Sequence, residues 1–461
     1  MNVVLISTYE LGRQPFGLAS PAAWLREAGS DVVCLDLSRS ALQEGPIRSA
    51  DLVAFYIPMH TATRIAALLI GRVRELNPRA HLCFFGLYAP VNETYLRELG
   101  AGTILGGEFE EGLLALVKRL QASALGQAIS PQSEPLISTA RQKFLTPDRV
   151  GLPALDHYAR LELGNGERGI VGYTEASRGC KHLCLHCPIV PVYQGHFRIV
   201  QREVVLEDIR QQVEMGASHI TFGDPDFFNG LGHSLSVVET LHQNYPRLTY
   251  DVTIKIEHLL KYSRHLKTLR DTGCILVTSA AESLDDNVLR ILDKGHTRAD
   301  FVRVVELFRE MEVNLSPTFV TFSPWTSIEG YLELLSFLAE MDLTESVSPI
   351  QLAIRLLIPA GSMLLEVPEV RSLMGTSIGE FNRQALSYQW KHNDPRVENL
   401  YEEVRRIVSG ASASQKSRTE VFQQVYSLAE QVADGSHGLS WPLEPLPSRA
   451  TLPYINEPWF C

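Results

Sequence analysis

Three cysteines, Cys180, Cys184 and Cys187, are spaced C-x3-C-x2-C in the loop Ser177-Arg178-Gly179-Cys180-Lys181-His182-Leu183-Cys184-Leu185-His186-Cys187. A strand-like run at 170–174 leads directly into that loop. Three thiolates this close can hold three irons of a cubane [4Fe–4S] cluster and leave the fourth without a protein thiolate. An open iron suits a reaction site, whereas an electron-transfer cluster normally fills all four positions with cysteine. Zinc is the alternative, with His182, His186 or His196 completing an N/S tetrahedron. Zinc sites are usually built from paired C-x-x-C knuckles, and no second knuckle exists here. Spacing and placement after a strand together favour the cluster. Seven cysteines in 461 residues are too sparse, and odd in number, for a disulfide framework, which suits a reducing cytosol.

The elements that must position this loop read as two βα series. Residues 1–122 alternate strand patterns (3–7, 31–35, 52–56, 82–85, 103–105) with helical ones (18–27, 64–76 and the stretch after Gly106-Gly107-Glu108-Phe109-Glu110-Glu111), which predicts a parallel sheet covered on both faces. Residues 123–150 read as a linker, rich in Ser, Ala, Gln and Pro at its start. A second series over 151–373 has strands at 169–175, 219–223, 249–256, 274–280, 315–322 and 350–357, with helices at 204–215, 259–271, 300–311 and 328–341. Six successive units predict a partial barrel whose chemistry lies at the C-terminal ends of its strands. Residues 374–435 read as helical, and 436–461 as a Pro-rich extended tail.

A net charge of -11 and a pI near 5.7 argue against broad binding to nucleic acid or anionic membrane. The start, Met1-Asn2-Val3-Val4-Leu5-Ile6, has no basic n-region or cleavage site and reads as a buried strand. No apolar run approaches the ~20 residues that span a bilayer. A cytoplasmic protein with a small-molecule substrate is expected.

The cysteine spacing, the two-domain order and a set of strand-end motifs resemble the radical S-adenosylmethionine (radical SAM) enzymes that carry a B12-binding-type domain, over roughly residues 1–370. The resemblance implies an N-terminal Rossmann-like, cobalamin-binding-type sheet, then a (βα)6 TIM-like barrel. It also implies a [4Fe–4S] cluster, S-adenosylmethionine and an external one-electron reductant of flavodoxin or ferredoxin type. After the second barrel strand, Phe222-Gly223-Asp224-Pro225-Asp226-Phe227 is similar to the family's acidic motif near the amino group of S-adenosylmethionine, where a carboxylate accepts charge-assisted hydrogen bonds. The same residues also make a strong turn composition. Ser279-Ala280-Ala281-Glu282-Ser283 looks like the family's Glu-Ser element for the ribose hydroxyls; Ser283 also suits a cap for the following helix. Lys294-Gly295 stands where relatives carry a Lys-Gly pair. Arg355 is a candidate for the methionine carboxylate, or for a structural ion pair. His186 replaces the aromatic residue that usually packs on the adenine, and imidazole can stack in its place.

The N-terminal domain departs from the family. Where the cobalamin fingerprint has Asp-x-His-x-x-Gly, this chain has Ser7-Thr8-Tyr9-Glu10-Leu11-Gly12, without a histidine. Phe85-Gly86-Leu87-Tyr88 stands where a Gly-Gly-x-His element is frequent. Cobalamin is therefore compatible with the resemblance and not required by it. The end, Pro458-Trp459-Phe460-Cys461, resembles radical SAM (seleno)proteins ending in Cys-Cys or Cys-selenocysteine followed by Ala-Glu-Pro. That family is similar to enzymes of arsinothricin-type biosynthesis. The resemblance implies transfer of the 3-amino-3-carboxypropyl group to As(III), with Cys461 in a substrate-binding thiol pair. A cobalamin-dependent radical methyltransferase is the second reading, and a nonenzymatic iron–sulfur or zinc protein the third.

Overall fold

The computed structural model describes residues 1–126, 134–164, 166–414, 416–433 and 453–456. Cys461 and most of the expected tail lie outside them. The first sheet comprises β1 (Asn2–Ser7), β2 (Asp31–Asp36), β3 (Leu52–Tyr56), β4 (His81–Phe85), β5 (Thr103–Gly107) and β6 (Ile137–Ser138), in the order β2-β1-β3-β4-β5-β6. Every pairing is parallel. Strands buried on both faces read as continuous apolar runs, as in Leu-Val-Ala-Phe-Tyr of β3, where all five residues are buried. The period of two divides the strands between two cores: Val4 and Ile6 face one, Val3 and Leu5 the other. Helix His60–Leu76 covers the first face with Ala66, Ile70 and Val73, the i, i+4, i+7 spacing of one helical face.

The stretch at 134–150, expected as linker, is built into the fold. Ile137–Ser138 adds the sixth strand. Arg149 is buried in a bidentate ion pair with Asp208 of helix Arg202–Glu214 and donates to Gln14 of the first domain.

The second sheet is the curled half-barrel. It contains β7 (Arg160–Glu162) and β8 (Arg168–Thr174). After the small hairpin β9 (Ser177–Gly179) with β10 (Phe197–Ile199), it continues through β11 (His219–Phe222), β12 (Thr249–Thr253), β13 (Cys274–Glu282) and β14 (Asn314–Phe319). Six of its strands run in the order β14-β13-β12-β11-β8-β7, with β8 and β11 to β14 parallel and β7 antiparallel to β8. The α/β class and the partial barrel expected from the periodicity are thus present.

The sixth barrel strand needs correction. Residues 349–353 form a 3-10 turn, and one bridge, Phe322 to Arg355, is all that continues the sheet. Pro349 starts the turn, and the Gln351 side chain takes the Phe319 N–H at 3.0 Å that a ladder partner would have taken. The region after 374, expected to be helical, begins with an antiparallel hairpin, β15 (Ile378–Asn382) and β16 (Ser387–Trp390). Its turn is held by Gln384 and Ala385 N–H groups donating to the Asn382 side chain. Helices Pro395–Ser414 and Arg418–Val432 then pack on the barrel through Val397, Leu400, Val404, Val421 and Phe422. Finally β17 (Tyr454–Ile455) joins β7 antiparallel. Among the described residues, no helix is long and apolar enough to cross a membrane.

Candidate functional site

The cysteine loop leaves β8 and is framed by the β9–β10 hairpin. Gly179 must be glycine: its φ is 74°, and a Cβ there would lie 2.4 Å from the Tyr193 ring and 2.5 Å from the His196 carbonyl. The Leu185 N–H donates to the Leu292 carbonyl at 3.0 Å, fixing the loop against the helix after β13. Cys184 is buried, and Cys180 and Cys187 are half-buried. Burial above all pushes the Cys187 thiol up to about 12, and the neighbouring Cys184 and Cys180 add to that. Metal binding requires thiolates, so a bound cation would oppose that upward shift at Cys187.

Among the described residues, one trio of His, Cys, Asp or Glu ligand atoms lies entirely within 4.8 Å, and it is His182, Asp226 and His258. Three neighbouring free thiols on one loop suit a cubane, which presents its irons at separate corners and can leave one without a protein thiolate. The residues present fit the cluster.

Around them the strand ends supply carboxylates. Gly223 is required by crowding, since a Cβ would fall 1.8 Å from the Tyr173 hydroxyl. Asp224 is buried and turned to the chain itself: it accepts from Ala176 N–H at 2.9 Å and Ser177 Oγ at 2.6 Å. Burial pushes its carboxyl up to about 7 despite those bonds. Asp226 caps the 3-10 turn Phe227–Gly230 and lies against His182 and His258. Glu282 closes β13 with φ 63°, at a register shift against β14. A non-glycine residue held there is a strained position of the kind that clusters at functional sites. Its carboxylate lies 3.1 Å from both Lys294 Nζ and His186 Nε2. Burial would raise it, but Lys294 and then His186 beside it outweigh burial and hold it well below the usual range. Lys294 stays charged although buried, because Glu282 and then Cys184 face it.

Ser283 accepts from the Asp285 N–H at 3.0 Å, and Asp285 rather than Ser283 caps the helix Asp286–Ile291. Arg355 is fully engaged elsewhere. It makes a bidentate pair with Glu398 at 2.8 and 3.0 Å and stacks 3.6 Å over the Trp390 ring. The structure thus brings Cys180, Cys184, Cys187, His186 and Glu282 together, and ties Arg355 to the C-terminal helices.

Sequence reading missed the residues that join the two sheets. Arg178, two residues before Cys180, is buried among Glu110 (2.7 and 3.0 Å), Glu175 (2.6 Å) and Glu108 (3.5 Å). Burial pushes Glu108 up to about 7, with Arg178 opposing. The one legible signal was the acidic run Glu108–Phe109–Glu110 after a strand.

Between the sheets lies a cavity of about 180 Å³, lined by Glu10, Arg13, Tyr56, Phe109, Tyr173 and Glu175 among others. Tyr56 fills much of its Rossmann side. A Cβ on Gly17 would sit 2.1 Å from the tyrosine ring, and one on Gly86 3.0 Å from it. Phe85 and Phe109 close in at 5.4 and 5.9 Å. Pockets for drug-sized ligands run to ~300–1,000 Å³, and a corrinoid is larger than those ligands. These residues, as arranged, do not fit cobalamin.

Residues 174–337 match the family model of the Radical SAM superfamily. The tRNA-2-methylthio-N(6)-dimethylallyladenosine synthase of Geobacter sulfurreducens is 22% identical over 210 residues, covering 42% of this chain and 46% of that protein. The chain spans less than half the length of the curated relatives it matches. Among solved structures, the cobalamin-dependent S-adenosylmethionine radical enzyme OxsB aligns with a TM-score of 0.68 at 14% identity, over 93% of this chain and 71% of that one. The radical S-adenosylmethionine methyltransferase TsrM from Kitasatospora setae, solved with cobalamin and a [4Fe–4S] cluster, aligns with a TM-score of 0.57 at 17% identity, over 74% of this chain and 70% of that one. At such identities the likeness is one of fold. The match to the Radical SAM superfamily model over residues 174–337 sets aside the nonenzymatic zinc or iron–sulfur reading: the chain is an enzyme, and the matched region implies a [4Fe–4S] cluster and S-adenosylmethionine.

Proposed function

We propose that this enzyme cleaves S-adenosylmethionine reductively at a cluster held by Cys180, Cys184 and Cys187, and transfers its 3-amino-3-carboxypropyl group to As(III). When bound and reduced, the cluster supplies one-electron cleavage of a sulfonium C–S bond. The chain's part is to place and shield the cofactor. Glu282, as an ionised acceptor oriented by Lys294 and His186, suits a vicinal diol, with Ser283 beside it. His186 would stack on the adenine. Asp224 would act through the loop it fixes, and Gly223 by keeping the second strand end narrow. Arg355 would serve the C-terminal packing.

The overall transfer breaks the Cγ–S bond and forms an As–C bond. One As–O bond of arsenite breaks, arsenic stays trivalent, and 5'-methylthioadenosine and water are released. The transfer consumes two electrons, delivered one at a time by a flavodoxin- or ferredoxin-type reductant, and one proton from solvent.

The observation that carries the arsenic reading is the docking of the tail on the barrel sheet. β17 pairs with β7, Asn456 exchanges hydrogen bonds with Arg160, and Arg418 lies 4.2 Å over the Tyr454 ring. The described part of the tail, Tyr454–Ile455, thus lies on the same sheet as the cysteine loop, and soft As(III) matches thiol ligands such as that of Cys461. The acidic charge favours a small-molecule substrate over nucleic acid, in a cytoplasmic setting. Corrinoid-dependent methyl transfer is the second reading; the fold likeness to OxsB and TsrM favours it, and the position of Tyr56 opposes it.

The test supplies arsenite, S-adenosylmethionine and reductant to the chain ending at Cys461, to a chain extended by a second cysteine, and to Cys461→Ser. A carboxypropyl arsenical formed in the order extended, native, Cys461→Ser supports the reading. Absence of product from all three removes arsenic as the substrate.

A further inference from the structure

We propose that His182, Asp226 and His258 form a binding site for one divalent first-row transition metal of the Zn(II)/Fe(II) class, separate from the cluster and independent of the substrate reading. The three side chains come from three strand ends: His182 from the loop after β8, Asp226 after β11, and His258 from the helix Ile256–Lys261 after β12. Their ligand atoms all lie within 4.8 Å. His258 Nδ1 is 2.7 Å and His182 Nε2 3.2 Å from the same oxygen, Asp226 Oδ2. Around a metal with bonds of ~2.0–2.2 Å to N and O, neighbouring ligand atoms stand about 2.8–3.5 Å apart in octahedral or tetrahedral arrangement.

Two buried or half-buried imidazole nitrogens, His258 Nδ1 and His182 Nε2, converge on the single oxygen Asp226 Oδ2. A cation at that point of convergence would satisfy all three atoms at once. The surroundings are those of a built site. Asp226 Oδ1 accepts the Phe228 N–H at 3.0 Å, which leaves Oδ2 for the metal. A metal at His182 Nε2 places the ring proton on Nδ1, which faces Glu257 Oε2 at 3.6 Å. Such a carboxylate–histidine–metal relay fixes the tautomer of a ligating imidazole. Without metal, Lys255 donates to that Nδ1 from 3.2 Å, and it also pairs with Glu257 at 3.3 Å.

Two imidazoles and one carboxylate suit zinc, iron or cobalt; magnesium and calcium take oxygen sets. Three protein ligands leave positions open to water or substrate. This assigns Asp226 to a metal rather than to the amino group of S-adenosylmethionine expected from the sequence.

The experiment is an anaerobic Co(II) titration of the full chain with its cluster reconstituted. The expected result is one Co(II) per chain beyond the cluster, with d–d absorption, no thiolate charge-transfer band, and displacement by Zn(II). His258→Ala and Asp226→Asn abolish the uptake while iron and sulfide stay at the wild-type level. Glu257→Gln weakens Co(II) affinity about 10–100-fold. No uptake by the wild type, equal uptake by all variants, or a thiolate charge-transfer signature overturns the proposal. Should His258→Ala and Asp226→Asn fail to hold the cluster, the Glu257→Gln affinity decides: an unchanged value overturns the proposal, a weakened one supports it.

Discussion

Replacing Arg178 with methionine removes the one guanidinium that three carboxylates share at the junction of the two sheets. Glu110 and Glu108 come from the first domain and Glu175 from the loop after β8, and side-chain exposures of 7% for Arg178, 0% for Glu110 and 1% for Glu108 leave little water to help. Methionine retains an apolar stem among the Phe16, Phe109 and Phe144 rings that surround the guanidinium at 5.0 to 5.6 Å. The loss is then mainly of charge. Breaking a buried pair by removing one partner costs about 3–5 kcal/mol. At ~2–4 °C per kcal/mol for domains of 150–250 residues, the melting midpoint drops by roughly 6–20 °C.

The pH dependence of that drop checks the cause. In the native chain Glu108 is raised from 4.5 to about 7. The folded state therefore holds more protons than the unfolded one across that window, and stability declines as pH rises from 4.5 through 7 and then levels off. Without Arg178 the carboxylates are raised further, so the decline continues above 7. Scanning fluorimetry at pH 6 and pH 8 should give a larger gap between native and variant chains at pH 8. A gap of a degree or less, or one equal at both pH values, refutes the role assigned to this cluster.

Glu282→Gln and Lys294→Met should keep cluster iron and weaken S-adenosylmethionine binding by about 1.5–3 kcal/mol, each losing a charge-assisted contact; unchanged affinity in equilibrium ultrafiltration removes both from the site. Asp224→Ala strips the Ala176 N–H and Ser177 hydroxyl of their acceptor, so reconstituted iron per chain should fall; full iron content contradicts its anchoring role. The native chain should retain no cobalamin after gel filtration, whereas Tyr56→Ala should gain some; equimolar retention by the native chain reverses the reading of the interface.

The cluster loop was legible because its three cysteines lie within eight residues directly after a strand pattern, so spacing and placement can both be read locally. Glu282 and Lys294 are twelve residues apart across one βα turn, still within reach of a motif. His182, Asp226 and His258 are brought together only by the curl of three strands, and nothing near His258 marks it. Arg178 and Glu110 meet across 68 residues and two sheets, beyond any periodicity. The parallel sheets were readable from apolar runs at 3–6 and 52–56, which tolerate burial on both faces. The sixth barrel strand was misread because 350–357 has a strand's composition, while Pro349 and the Gln351 amide decide for a turn. The hairpin at 378–390 was missed because its polar exposed face hides the alternation of Phe381, Tyr388 and Trp390.

The most direct test of reductive S-adenosylmethionine cleavage at Cys180, Cys184 and Cys187 is a nucleoside assay on the anaerobically reconstituted chain. It should contain about four irons and four sulfides. After reduction with S-adenosylmethionine and arsenite present, chromatography should show 5'-methylthioadenosine in the native chain above the level in controls lacking reductant. The Cys180→Ala, Cys184→Ala and Cys187→Ala chains should show none. Predominant 5'-deoxyadenosine would keep the radical chemistry and contradict carboxypropyl transfer. No reductant-dependent nucleoside of either kind, or cleavage that survives loss of the three cysteines, would contradict the central claim itself.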